Sequence, residues 1–214
     1  MSNAPTTRPS RRAVFLAGLA AMPMAAQAAS VRVITMLGDS ITAGYGLPRA
    51  QALPVQLETT LRRRGLSVIV RGAGVSGDTT AGGLARVDFS VLADTDLCIV
   101  ALGGNDLLQG IDPRRTQVNL ERIVERLQMR HIKVLLAGLK APGVIGLTYA
   151  RDFQAVFPAV ARRRGAILYP DLLAGVARDP RLVQKDGLHP NADGARLIAE
   201  RLAPVVAKTL SGHG

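Results

Sequence analysis

The chain has no tryptophan, one cysteine and three histidines, and aromatic side chains make up 3% of its 214 residues. A surface that stacks bases needs more rings than this, so no nucleic-acid partner is expected. The single cysteine, Cys98, excludes an intrachain disulfide. It lies in the apolar run Leu97-Cys98-Ile99-Val100-Ala101-Leu102, with no cation beside it in sequence. It therefore reads as a small buried hydrophobe rather than a nucleophile. One cysteine and three scattered histidines supply no ligand cluster, so no metal is expected. Long apolar runs are also missing. The apolar stretch at 13–26 is short for a membrane span and is broken by Pro23, so no stable membrane insertion is expected of the mature chain. Acidic residues are in the minority, 16 against 27 Lys and Arg, for a net charge of +11.

What is present begins with a leader. Arg11-Arg12 precede the apolar stretch, and Ala26-Gln27-Ala28 forms a small-x-small cleavage pattern. Residues 1–28 read as an export signal and 29–214 as one mature domain, large enough for a sizeable core. Ser10 before the arginine pair and Phe15-Leu16 after it suggest twin-arginine export, although Phe15 comes one residue late. General secretory export is the alternative. Either route places the mature protein in the bacterial periplasm or outside the cell. Arg8, Arg11 and Arg12 leave with the leader, and the remaining 24 basic and 16 acidic residues give about +8. Much of that excess sits in Arg62-Arg63-Arg64 and Arg162-Arg163-Arg164, at expected helix ends where cations suit the helix dipole.

In the mature region, strand-like runs at 31–37, 67–71, 97–102, 134–137 and 166–169 are rich in Val, Ile and Leu. Such runs fit strands covered on both faces. They alternate with helix-like stretches at 52–64, 81–92, 113–131, 149–164 and 192–210. The third helix is amphipathic, with Val118, Ile123, Val124 and Leu127 assigned to its apolar side. This alternation predicts an α/β fold, a parallel sheet between two helical layers, with its site beyond the carboxyl ends of the strands.

Four polar blocks fall at that sheet edge or lead into the last helix. They are Gly38-Asp39-Ser40, Gly74-Val75-Ser76-Gly77-Asp78, Gly103-Gly104-Asn105-Asp106 and Asp186-Gly187-Leu188-His189-Pro190. Together they hold a serine, a glycine amide, an asparagine, and an aspartate three residues before a histidine. Those are the parts of nucleophilic acyl transfer. Each also has a structural reading: Ser40 as a helix cap, Asn105 as a loop cap, Asp186-Gly187 and His189-Pro190 as turns. Their joint presence favours chemistry. Gly72-Ala73-Gly74-Val75-Ser76-Gly77 matches G-x-G-x-x-G, but it follows the second strand, and the third strand ends in Gly103-Gly104-Asn105 rather than an acid. A dinucleotide site is disfavoured on both counts.

These blocks resemble those of the SGNH, or GDSL, hydrolase family. Leu37 to Gly46 is similar to the first block of its multifunctional branch of acyl-CoA thioesterases, lysophospholipases and arylesterases. The likeness runs through Ser76-Gly77-Asp78-Thr79-Thr80 and Gly103-Gly104-Asn105-Asp106 to Asp186-Gly187-Leu188-His189-Pro190-Asn191. Ile41 replaces the leucine of the literal G-D-S-L, a conservative change. The resemblance implies a three-layer α/β/α sandwich with a five-stranded, flavodoxin-like parallel sheet and no cofactor. It implies Ser40 as nucleophile, His189 as base and Asp186 as its partner. The oxyanion donors it implies are the Ser40 and Gly77 amides and the Asn105 side chain.

The expected partner is a small acyl or aryl ester or thioester. Leu107, Leu108 and Ile111, with Pro142, Val144 and Ile145 in the loop 139–149, are apolar where loops are usually polar, and are candidates for an acyl groove. The alternatives are a carbohydrate O-acetylesterase of the same family or a non-catalytic flavodoxin-like binder.

Overall fold

The computed structural model describes residues 1–2, 30–141 and 146–212. The leader, with Arg11-Arg12 and Ala26-Gln27-Ala28, lies outside the described residues, as do Pro142, Val144 and Ile145. Five parallel strands form one sheet: β1 (Arg32–Gly38), β2 (Val68–Gly74), β3 (Leu97–Ala101), β4 (Lys133–Ala137) and β5 (Ile167–Tyr169). Their order is β2-β1-β3-β4-β5. Among the described residues the α-helices are α1 (Ser40–Ala43), α2 (Leu53–Arg63), α3 (Thr80–Ser90), α4 (Gly104–Leu108), α5 (Pro113–Met129), α6 (Leu147–Arg164) and α7 (Ala192–Ser211).

Strand periodicity divides the core into two layers. Leu37, Cys98, Val100, Val134 and Leu136 face the helices α3, α5 and α6. Ile34, Met36, Val68, Val70, Ile99 and Leu135 face α2 and α7. Cys98 is fully buried, and burial pushes its thiol up to about 12. Phe153 and Phe157 of α6 pack edge to face at 5.7 Å in the first layer. Truncating a buried phenylalanine such as Phe153 to alanine costs about 3–5 kcal/mol.

Two expectations are corrected in detail. Val118 is not on the buried face of α5. It is 46% exposed, because that face is set by Thr116, Leu120, Ile123, Val124 and Leu127. Strand β2 also runs on to Gly74, past the expected end at Arg71. A Cβ on Gly74 would strike the backbone of Thr42 and Ala43, so glycine lets β2 lie against α1. The G-x-G pair thus serves strand-to-helix packing here. The arginine runs do close α2 and α6, and Arg163 and Arg164 reach Glu121 and Glu125 of α5 at 3.0 and 2.9 Å.

Register positions the site. Gly38 at the end of β1 pairs with Gly74 of β2 on one side and Ala101 of β3 on the other. The chain leaves β1 to add β2 on one side, then returns to add β3 on the other. Such a reversal opens a crevice at the carboxyl ends of the strands. Ser40, Gly77 and Asn105 each lie a few residues beyond those three strand ends.

Candidate active site

Ser40 is the first residue of α1, whose four-residue turn is capped by Asp39 accepting the Ile41 amide at 3.0 Å. His189 approaches from the loop before α7. Its Nε2 lies 2.9 Å from Ser40 Oγ, and its Nδ1 lies 2.6 Å from Asp186 Oδ2. The carboxylate selects the tautomer: Nδ1 carries the proton and donates it, so Nε2 is free to accept from the Ser40 hydroxyl. Asp186 Oδ1 also accepts the amides of Leu188 and His189 at 2.9 and 3.0 Å. The His189 hydrogen bond first, and these amides second, hold the Asp186 carboxyl down at about 2. It is therefore ionised at any working pH. The imidazole side chain is only 15% exposed, and the Tyr45 ring lies beside it at 4.7 Å.

The loop bearing His189 is internally braced. Val183 bridges Pro190, and the Asn191 side chain donates to the Arg181 and Val183 carbonyls while capping α7 through the Gly194 amide. The loop thus carries Asp186 and His189 as one unit.

The other two strand ends supply hydrogen-bond donors. Val75 to Asp78 form a turn closed by the Asp78 amide donating to the Val75 carbonyl at 3.1 Å. Its third residue needs a positive φ, and Gly77 has +82°. Asn105, in the first turn of α4, gives one side-chain N–H to the Asp78 carbonyl at 2.8 Å. The amide group has a second N–H, which remains for a ligand. Ser40, Gly77, Asn105 and His189 line one cleft of about 840 Å³. Below it, buried Asp106 accepts the Thr80 amide at 2.8 Å, the Thr80 hydroxyl at 2.5 Å and the Thr116 hydroxyl at 3.1 Å. That network ties the start of α3 to α4 and α5.

Leu107 and Leu108 line the cleft, with Leu139 and Ala141, which precede Pro142, Val144 and Ile145 in the chain. Ile111 does not line it; its carbonyl instead accepts the Tyr149 hydroxyl at 2.9 Å. A further wall has no counterpart among the expected residues: Leu173, Ala174, Ala177 and Arg178. Their segment matches no helix period and no polar block, so nothing in the sequence singles it out. Tyr45 stands out in the sequence only as part of the first block. Among the described residues no group of three His, Cys, Asp or Glu side chains could hold a metal, and no helix is long and apolar enough to cross a membrane.

Fold and site together define a class: an α/β/α hydrolase with a Ser-His-Asp arrangement at the sheet edge. Residues 36–197 match the GDSL-like Lipase/Acylhydrolase family, and the chain belongs to it. It is 35% identical over 201 residues to Esterase TesA of Pseudomonas aeruginosa, covering 93% of this chain and 100% of that one. It is 33% identical over 178 residues to Thioesterase 1/protease 1/lysophospholipase L1 of Escherichia coli K12, covering 83% and 84%. Among solved structures it is similar to AlinE4, an SGNH-hydrolase family esterase. That match has a TM-score of 0.71 and 44% identity, and covers 86% of this chain and 98% of that one.

Proposed function

We propose that the chain hydrolyses carboxylic ester or thioester bonds of acyl or aryl substrates through an acyl-enzyme on Ser40. The observation that carries this is the pair of contacts from His189, 2.9 Å to Ser40 and 2.6 Å to Asp186, beside a cleft that Gly77 and Asn105 also line. Ser40 Oγ attacks the carbonyl carbon while its proton passes to His189 Nε2. The imidazolium is held by ionised Asp186. The carbonyl oxygen becomes an oxyanion, which the Ser40 and Gly77 amides and the free Asn105 N–H receive. His189 then protonates the departing alcohol or thiol, and the acyl group stays on Ser40. A water molecule gives its proton to His189 and attacks the acyl carbon. Collapse releases the acid and returns the proton to Ser40.

Apolar side chains make up most of the cleft's walls, from Leu107, Leu108 and Leu139 to Leu173 and Ala177. This favours fatty acyl or aryl groups over sugar acetates. The relatives' names, an esterase and a thioesterase/lysophospholipase, agree with that substrate class. The leader pattern of Arg11-Arg12 and Ala26-Gln27-Ala28 supports work in the periplasm.

The test combines labelling with kinetics. A reactive phosphonate ester should modify Ser40 stoichiometrically, seen as a mass shift on its peptide. Ser40→Ala and His189→Ala should each remove most turnover of p-nitrophenyl esters, and the double variant should lose little more. Asn105→Ala should lower kcat by about 10²–10³, the cost of one oxyanion donor. A folded Ser40→Ala protein that still turns over at the wild-type rate would overturn the assignment.

A further inference from the structure

We propose that Arg86, acting through Asp78, is the positioning residue that fixes the three oxyanion donors relative to one another. The inference rests on the reading of Ser40, Gly77 and Asn105 as those donors. Arg86 lies on α3 and touches none of the reacting atoms. Its guanidinium nevertheless reaches the ends of two strands that carry parts of the site, β1 and β2, and the turn that follows β2. Nη2 donates to the Gly38 carbonyl at 2.9 Å, two residues before Ser40. Nη1 donates to the Ala73 carbonyl at 2.9 Å, near the end of β2, and to Ser90 Oγ at 3.1 Å. Nε donates to Asp78 Oδ2 at 2.7 Å, the residue that closes the Gly77 turn.

Asp78 extends the reach to the third donor, since its carbonyl is the one that holds Asn105 at 2.8 Å. The Gly38 carbonyl is shared with the Val75 amide at 3.1 Å, so the first and second turns are already joined there. Arg86 and Asp78 side chains are 19% and 11% exposed, which keeps water from substituting freely for these bonds. A planar fork with donors in fixed directions suits two carbonyls and a carboxylate at once. A lysine ammonium on a flexible stem does not. Oxyanion donors act only when charge develops, so a misplacement by a fraction of an ångström spares substrate binding and slows the chemical step.

The alternative is that Arg86–Asp78 is an ordinary ion pair that supports only the fold. A split between kcat and KM separates the two. Arg86→Lys and Arg86→Met should lower kcat by about 10- to 100-fold with KM unchanged, less than loss of a whole donor. Asp78→Asn, which keeps the backbone carbonyl, should lower kcat in the same manner. Ser90→Ala removes one Arg86 contact that leads away from the site and should leave kcat at the wild-type level.

Combined with Asn105→Ala, the Arg86→Met loss should be smaller than in the wild-type background, because one of the three donors it positions is already gone. Urea unfolding of every variant checks that the comparison is between folded proteins. Wild-type kcat in folded Arg86→Lys and Arg86→Met, losses confined to KM, or losses that add to that of Asn105→Ala would each overturn the proposal. If the Arg86 variants do not fold, Asp78→Asn decides by the same criteria. Retained turnover in Ser40→Ala would instead sink the underlying functional reading, a distinct outcome.

Discussion

Gln184 holds Tyr45 and, through it, joins the histidine loop to the serine loop. Its Nε2 donates to the Tyr45 carbonyl at 2.7 Å and to the Pro190 carbonyl at 3.0 Å, while its amide donates to the His189 carbonyl at 2.7 Å. Tyr45 in turn donates its amide to the Ser40 carbonyl at 3.0 Å. One side chain therefore bridges segments 139 residues apart, next to the 2.9 Å contact on which proton transfer depends. Gln184→Ala should lower kcat/KM about tenfold, the equivalent of about 1.4 kcal/mol and at the upper end of the net value of a hydrogen bond. The check is kcat/KM on a short ester beside the urea midpoint. Unchanged kcat/KM would mean that the loop's own bracing suffices to place His189.

The cleft walls lead to a prediction about chain length. Leu108 stands on one side, and Leu173, in the segment after β5, forms part of another. Leu173→Ser should leave p-nitrophenyl acetate almost unaffected and penalise longer acyl esters progressively, up to about 0.8 kcal/mol per methylene that loses its apolar contact. The same pattern is expected of Val144→Ser and Ile145→Ser. A panel of p-nitrophenyl esters from acetate to decanoate reads it directly. Equal losses along the series would assign these residues to support of the fold alone.

Much of this molecule is legible in its sequence because the features concerned are local. Runs such as Leu97 to Ala101 are long enough to fix strand identity, and strand alternation with helices fixes the layers. The polar blocks are legible for a related reason: each follows a strand or precedes a helix, and a parallel sheet gathers such ends at one edge. The features that are not legible depend on partners far apart in the chain. Arg86 looks like any helix-surface cation until Gly38, Ala73 and Asp78 are seen around its guanidinium. Gln184 is an unremarked loop amide until Tyr45 meets it. Val118 falls outside the buried face because periodicity marks an apolar stripe without saying where it ends. The buried edge of α5 is completed instead by Thr116, a polar residue whose hydroxyl serves Asp106.

The export reading gives a prediction independent of the site. Arg11→Lys with Arg12→Lys should block export if the twin-arginine route is used, and leave it unchanged if the general route is used. Fractionation of cells expressing each form distinguishes the two. Mass spectrometry of the exported protein should find its N-terminus near Ala29. A mature N-terminus upstream of Arg11 would refute the leader.

Asp39 yields a pH prediction of definite sign. It is 4% exposed beside the nucleophile, and burial pushes its carboxyl up to about 6, against the Ile41 amide and the nearby His189, which pull it down. In the unfolded chain it titrates near its ordinary value of 3.8. Between these values the folded protein binds the extra proton. The contribution of Asp39 is therefore most favourable below about pH 4 and is lost as pH rises through about 6. The full penalty above that is on the order of 3 kcal/mol. An Asp39→Asn substitution keeps an acceptor for the Ile41 amide and removes the titrating group. Relative to the wild type, that variant should gain stability progressively from pH 4 to pH 7 and hold the gain above it. Urea midpoints of the two proteins across that range measure the difference, and cancel the titration of groups that do not interact with Asp39. A difference that is flat with pH would show that Asp39 titrates alike in the folded and unfolded chain.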